Sequence, residues 1–336
     1  MSSDGNSYES SADGDEGNPK LQAVNLFNVN GIVAVVTGGG SGIGFMIANA
    51  LANNGAKRVF IAGRRLDVLN DAARRIGLAN VMPLYCDVTS KVSLGSLVSL
   101  IEGDTGYVNV VFANAGIGES PPDSLVWVLD RQRSRPSWVG FPTDRLKIFV
   151  RIGGPNAPTP DARSMSLEQW AKANLEHPME DFTSTFNVNV SSVWYTAMAF
   201  LPLLDRGNKV RNVTQSSQVV ATSSIAAFNK AAPGGSAYGI SKAAVVHMMK
   251  MLGTALPQWG IRANCMAPGL FPSEMADPII ARAGGPQSVP IPLGRIGDEE
   301  DMAGLVLYLA SRAGAYLNGN TVLLDGGRLT CFPSTF

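Results

Sequence analysis

Histidine and cysteine are scarce in this chain: two histidines, His177 and His247, and three cysteines, Cys86, Cys265 and Cys331, among 336 residues. A histidine-rich metal site is thereby excluded. Three cysteines in a chain this long give neither a disulfide framework nor paired metal-ligand spacing, so no metal is expected, and a reducing compartment such as the cytoplasm suits the composition. An excess of charge is also missing. With 27 Lys and Arg against 27 Asp and Glu, the net charge is zero, and nothing points to nucleic acid or an anionic membrane as partner. No apolar run reaches the ~20 residues that cross a bilayer. Residues 1–20, MSSDGNSYESSADGDEGNPK, lack an apolar core and are acidic and rich in Ser, Gly and Asp. That is the composition of a disordered tail and not of a signal or transit peptide.

What is present is a chain that is 45% apolar, enough for a proper core. From Gly31 it reads GIVAVVTGGGSGIGFMIANALANNGA: a β-branched run, a glycine-dense turn, then apolar residues at helical spacing (Ile43, Met46, Ile47, Ala50, Leu51). Gly38, Gly42 and Gly44 let the backbone approach a pyrophosphate, to which the helix N-terminus presents free N–H groups. The pattern then repeats. Strands are predicted at Lys57–Ala62, Val81–Cys86 and Tyr107–Ala113, with helices at Leu66–Ile76 and Ser90–Glu102 between them. Strand alternating with helix at this interval means an α/β fold, a Rossmann-like, doubly wound parallel sheet with ligands at the carboxyl ends of its strands.

In the second half, VVATSS reads as a buried strand ending at Ser224, and the segment after it places Tyr238 and Lys242 four residues apart at the start of a helix. An ammonium on the same helix face favours the phenolate, so the spacing predicts a tyrosine pKa below the usual ~10. Further strands are predicted at Ile261–Met266 and Asn320–Asp325, and a helix is predicted to start at Asp298 with acidic residues on its first turn.

Thr37-Gly38-x-x-x-Gly42-x-Gly44, Asp87-Val88, Asn114-Ala115-Gly116, Ser224 and Tyr238-x-x-x-Lys242 follow one another in the order of a known family. From about Gly31 to Gly327 the chain resembles a short-chain dehydrogenase/reductase of the compact, single-domain type, of about seven strands, and its last stretch is similar to gluconate and β-hydroxyacyl reductases. The resemblance implies reversible hydride transfer between a nicotinamide cofactor and a carbonyl or secondary alcohol. Ser224 would position the substrate oxygen, Tyr238 would move the proton, Lys242 would hold the nicotinamide ribose, and Asn189 would anchor a water in a local break of a long helix, with Asn187 as the alternative. Ser224 stands one residue further from Tyr238 than the family pattern, so Ser223 is a possible substitute. The cofactor contacts implied are Thr37, Gly38, Ser41, Gly42, Ile43 and Gly44 in the turn; Asp87 and Val88 beside the adenine; Asn114, Ala115 and Gly116 at the fourth strand; Pro268 and Gly269 over the nicotinamide; and Ser273, where relatives often carry a threonine, at the cofactor amide or phosphates. Helix capping is the alternative for Asp87.

Cofactor choice follows from charge. The second strand ends in Gly63, Arg64 and Arg65, with no carboxylate until Asp67. A ribose diol wants an acid there and a 2′-phosphate wants a cation, so NADP is expected over NAD, with Arg64 the foremost phosphate ligand and Arg65 beside it. A non-catalytic NADP-binding sensor is the alternative function, and it would predict a damaged tetrad. An epimerase of the larger related type fits neither the glycine spacing nor the residues left after Tyr238. A homodimer or homotetramer through the helices at Asp181–Leu204 and Ser236–Pro257 is the family habit. Residues 118–152 interrupt the pattern, mixing Pro, Arg and Trp without a period. A lid or oligomer arm, a disordered excursion and translated intron all remain open for them; Gly118-Glu119-Ser120 is compatible with a splice-donor junction.

Overall fold

The computed structural model describes residues 18–117, 126–127, 148–149, 165–176, 178–230 and 235–336. Seven strands form its sheet: β1 Val33–Thr37, β2 Arg58–Gly63, β3 Val81–Tyr85, β4 Val110–Ala113, β5 Gln218–Thr222, β6 Arg262–Pro268 and β7 Thr321–Leu324. All neighbours pair parallel, in the order β3-β2-β1-β4-β5-β6-β7. The order reverses between β1 and β4, which opens a crevice at the carboxyl ends of those two strands. Besides one short helical turn at Ala23–Leu26, the helices among the described residues are α1 Gly42–Asn53, α2 Leu66–Ile76, α3 Lys91–Asp104, α4 Leu167–Leu175, α5 Met179–Phe186, α6 Ser192–Val210, α7 Ser236–Ala255, α8 Asp277–Arg282 and α9 Glu299–Ala310.

Both sheet faces are covered, which is why β1 and β5 are buried along their whole length and carry continuous apolar stretches, VAVV and VVA, next to polar end residues. Val33 and Val35 face one layer, built with Leu94, Leu97, Phe200, Val245 and Met249 from α3, α6 and α7. Ala34 and Val36 face the other, with Ile47, Leu51, Leu69, Met302 and Leu309 from α1, α2 and α9. Each fully buried Leu, Ile or Phe contributes about 1.5–3 kcal/mol relative to exposure.

The element boundaries mostly follow the sequence pattern. Asp298 caps α9 through a reciprocal capping box with Asp301. The fourth strand is shorter than predicted, starting at Val110 and not at Tyr107: the Val108 N–H is taken by the Leu203 carbonyl of α6 and not by the sheet. The tail expected to run to Lys20 already forms a 3-10 turn at Pro19–Leu21, while residues 1–17 lie outside the described ones. Most of 118–152 also lies outside them, apart from an antiparallel pairing of Val126–Trp127 with Ile148–Phe149.

Candidate active site

The glycine turn is held by Thr37, the last residue of β1. Its Oγ1 accepts from the backbone N–H groups of Asn114 (3.0 Å) and Ala115 (3.1 Å), and donates to the Phe112 carbonyl (3.4 Å). Asn114 Nδ2 returns the contact by donating to the Thr37 carbonyl at 3.1 Å. The end of β4 is thus tied to the turn, and Asn114 and Ala115 border it. Gly38 and Gly42 adopt φ of +68° and +51°, a region that side-chain-bearing residues avoid. At Gly44 a Cβ would run into the Gly38 carbonyl oxygen and Asn114 Nδ2, so the helix can begin this close under the turn only with glycine there. Ser41 is the N-cap of α1 but makes no side-chain cap bond. Its hydroxyl therefore does not claim the N–H groups of the first turn, where Ile43 also lies. A cradle built of glycine, ending in unclaimed N–H donors at a helix N-terminus, fits the pyrophosphate of a dinucleotide.

Arg64 and Arg65 lie exposed at the tip of β2. Arg65 is paired with Glu274, Nη2 to carboxylate at 3.1 Å, whereas Arg64 makes no ion pair among the described residues. Asp87 accepts from the N–H and hydroxyl of Thr89, at 3.0 and 2.7 Å. These bonds, and after them the charge of Arg64, hold its carboxyl below the usual range. Capping of α3 belongs to Ser90, whose hydroxyl accepts from Ser93 N–H, so the capping alternative for Asp87 is removed. Val88 is buried in the core layer below. On the opposite wall, Pro268 ends β6, and Gly269 packs so closely on Asp325 that a Cβ would lie 2.7 Å from it. Ser273, whose Oγ accepts from Ala276 N–H, stands 2.8 Å from where a Gly42 Cβ would be, so this wall leans directly on the turn.

Ser224, Tyr238, Lys242 and Asn189 converge beside the cradle. Ser224 N-caps the 3-10 turn Ile225–Ala227, and its hydroxyl is the group whose hydrogen bonding opposes the effect of burial on the Tyr238 phenol. Ser223 is buried and donates to the Lys242 carbonyl at 2.7 Å. It braces α7 to β5, so of the two serines it is Ser224 that faces the phenol. Lys242 is buried, with Nζ donating to the Thr222 carbonyl at 3.1 Å. Asn189 sits in a π turn, Asn187–Ser191, that joins α5 to α6, a widened turn of the kind found at functional positions. Its side chain is fully engaged: Oδ1 accepts from Ile117 N–H (2.9 Å), and Nδ2 donates to the Ile117 carbonyl (3.0 Å) and Ser241 Oγ (3.1 Å). Gly116 has no left-handed φ; it is small for reasons of space, since a Cβ there would stand 3.3 Å from both Asn189 Oδ1 and Lys242 Nζ.

The electrostatics correct one expectation. The Tyr238 phenol is not lowered by its lysine: burial pushes it above its ordinary value, and the Ser224 hydrogen bond is what opposes that. Nζ lies 5.6 Å from the ring centroid and is turned to the Thr222 carbonyl. Burial also pulls Lys242 down to about 8, with Cys265 opposing. The Cys265 thiol, beneath it on β6, is pushed up to about 12 by burial. In the protein without ligand, loss of water outweighs the attraction between the two groups.

Three participants escaped the sequence reading. Ser241 links Asn189 to the Tyr238 carbonyl, to which it donates at 2.7 Å; a serine three residues past the tyrosine, on the same helix face, was the available signal. Glu274, which occupies Arg65, and Cys265, which underlies Lys242, are brought in from distant parts of the chain with no local pattern to mark them.

Two family models match this chain: "short chain dehydrogenase" over residues 32–127 and "Enoyl-(Acyl carrier protein) reductase" over 164–328. Between them, 128–163 is unmatched. The chain is similar to the short-chain dehydrogenase/reductase PhomF of Diaporthe leptostromiformis, at 43% identity over 324 residues, covering 95% of this chain and 98% of that one. It is also similar to the rhamnolipids biosynthesis 3-oxoacyl-[acyl-carrier-protein] reductase of Pseudomonas aeruginosa, at 30% identity over 90% of this chain and 97% of that one. Among solved structures, the Pseudomonas aeruginosa RhlG/NADP active-site complex superimposes with a TM-score of 0.66 at 28% identity, over 90% of this chain and 98% of that one.

Proposed function

Because the chain belongs to the short-chain dehydrogenase/reductase family and is therefore an oxidoreductase, we propose that it interconverts a carbonyl and a secondary alcohol with NADP(H), using Tyr238 as acid and base. The observation that carries this reading is the meeting of Ser224, Tyr238, Lys242 and Asn189 beside a glycine cradle at the carboxyl edge of the sheet. When bound, the reduced nicotinamide supplies the hydride that the carbonyl carbon takes up. Ser224 Oγ hydrogen-bonds the substrate oxygen and holds it against Tyr238. Tyr238 Oη gives that oxygen its proton in reduction and removes it in oxidation. A phenol kept protonated by burial is a competent donor, since the developing alkoxide is a stronger base than phenolate. Lys242 Nζ holds the ribose hydroxyls, and the π turn at Asn189 anchors the water that restores the proton.

The test is the loss of NADPH absorbance with a panel of ketones graded in size. Turnover of at least one supports the reading; tight NADPH binding with no turnover of any would leave only a cofactor-binding sensor.

For the cofactor, Arg64 is the cation left at the β2 tip once Glu274 has engaged Arg65, and the Pseudomonas structure is titled as an NADP complex. A charge-assisted bond to phosphate contributes about 1.5–3 kcal/mol. Arg64→Ala is thus expected to raise the Kd for NADPH by ~10–100-fold and that for NADH by less than threefold, measured by cofactor fluorescence. Equal losses for both would remove the 2′-phosphate contact.

Self-association is supported by the apolar groups left exposed on α6 and α7: Trp194, Tyr195, Ile240 and Met251. Sedimentation at micromolar concentration is expected to give a dimer or tetramer, and a monomer there would contradict it.

A further inference from the structure

The last residues of the chain, 329–336, lie beyond the family match, yet they are tied to the segment that follows Ser224. Asp325 fixes their root, its carboxylate accepting from the N–H groups of Gly327 (2.9 Å) and Leu329 (2.7 Å). Arg328 donates to the Pro290 carbonyl at 3.3 Å and lies over the Phe332 ring, 5.4 Å from its centroid. The chain then runs antiparallel to Phe228–Lys230. Asn229 and Ser334 form a β-bridge, Lys230 N–H donates to the Pro333 carbonyl (2.8 Å), and Thr335 N–H and Oγ1 donate to the Phe228 carbonyl (2.8 and 3.3 Å). Phe336 meets Phe228 edge to face at 5.1 Å between centroids.

The partner of this pairing, Phe228–Lys230, directly follows the 3-10 turn Ile225–Ala227 that Ser224 caps. Phe228 stands four residues after the serine that bonds the phenol, and its ring also packs against the core layer of α6 and α7. A segment leaving an active-site serine has few ways to be held. Here the tail supplies three backbone-directed hydrogen bonds and an aromatic contact, of the kind that contributes beyond simple area.

We propose that residues 332–336 are a specificity element: by pairing with Phe228–Lys230 they hold the substrate-side wall in place and set the size of the carbonyl compound admitted. The proposal rests on the carbonyl-reductase reading above. It predicts that the tail governs discrimination among ketones and leaves cofactor binding alone, because among the described residues it bonds to Phe228–Lys230 and not to the glycine cradle or Arg64.

Two variants test it in the full protein: a chain ending at Thr330, and Thr335→Pro, which removes both donors to the Phe228 carbonyl. For the two ketones the intact chain separates most, the truncation is expected to reduce the ratio of kcat/KM at least fivefold toward unity, and Thr335→Pro to move it the same way by at least twofold. The Kd for NADPH should stay within twofold. Hydrogen exchange should quicken at 225–230 and not at 38–53. A ratio unchanged within twofold alongside a lowered melting temperature would make the tail a mere strap and overturn the proposal. So would an NADPH affinity that falls in step. If the intact chain reduces no ketone, the carbonyl reading fails by itself. The exchange experiment then still decides the tail, since unchanged exchange at 225–230 after truncation would show that it does not hold the wall.

Discussion

Replacing Tyr238 by Phe is expected to lower kcat for ketone reduction by ~10²–10⁴, the range over which a positioned proton donor acts, or roughly 3–5 kcal/mol of barrier. The phenylalanine ring keeps the packing of Tyr238 at the start of α7, so the melting temperature should hold and NADPH should bind within about threefold of the intact protein. Ser224 keeps its hydroxyl and its capping role over the 3-10 turn, so substrate KM should move far less than kcat. Loss confined to kcat identifies an interaction made in the transition state. An unchanged rate with NADPH still bound would eliminate Tyr238 as the proton donor and leave only the nucleotide scaffold standing.

Lys242→Met carries the second large effect, and it runs in two directions. Turnover is expected to fall by at least ~10²-fold, because under the proposed mechanism the side chain anchors the ribose and completes the proton path behind Tyr238. Stability of the cofactor-free protein is expected to rise. In the folded state the ammonium titrates at about 8 against 10.5 for the free side chain. Below pH 8 both states carry the charge, and the folded state bears the full cost of burying it, on the order of 3 kcal/mol. Between 8 and 10.5 the folded protein binds fewer protons than the unfolded one, so its stability climbs with pH; above 10.5 both are neutral and the cost is gone. Losing the bond to the Thr222 carbonyl offsets about 1 kcal/mol. Urea unfolding of the two proteins at pH 7 should thus favour Met by about 2 kcal/mol, with the advantage shrinking as pH rises from 8 toward 10.5. A variant less stable at pH 7, or an advantage independent of pH, would contradict this account of Lys242. Activity and stability would then trade at one residue, as expected where function requires a buried charge.

The glycine turn and the strands around it were legible because their causes are local. Val33–Val36 is apolar on both faces, and Gly38, Gly42 and Gly44 stand where a left-handed turn and a close helix start require them. The site was only partly legible. Asn189 could be placed by motif order, but its partners Ile117 and Ser241 are 72 and 52 residues away in the chain. Ser223 and Ser224 were indistinguishable in VVATSS; the extended backbone just past the end of β5 turned one toward the Lys242 carbonyl and the other toward the phenol. The effect of the Lys242 charge on Tyr238 was misjudged for a related reason. Spacing along a helix states how near two groups can be, while the direction of a pKa depends on how much water the surrounding elements remove.

By itself, then, the sequence determined the alternation of strand and helix, the glycine turn under the first helix and the residue types available for proton transfer, since periodicity, glycine conformation and side-chain chemistry are properties of short segments. Tertiary structure alone decided which serine meets the tyrosine, how far burial shifts the lysine, that Glu274 leaves Arg64 as the open cation, and that the last residues pair with Phe228–Lys230 just past Ser224. Each of those depends on distant segments being brought together by the sheet order and on the water their packing excludes, and neither is written in any one stretch of the chain.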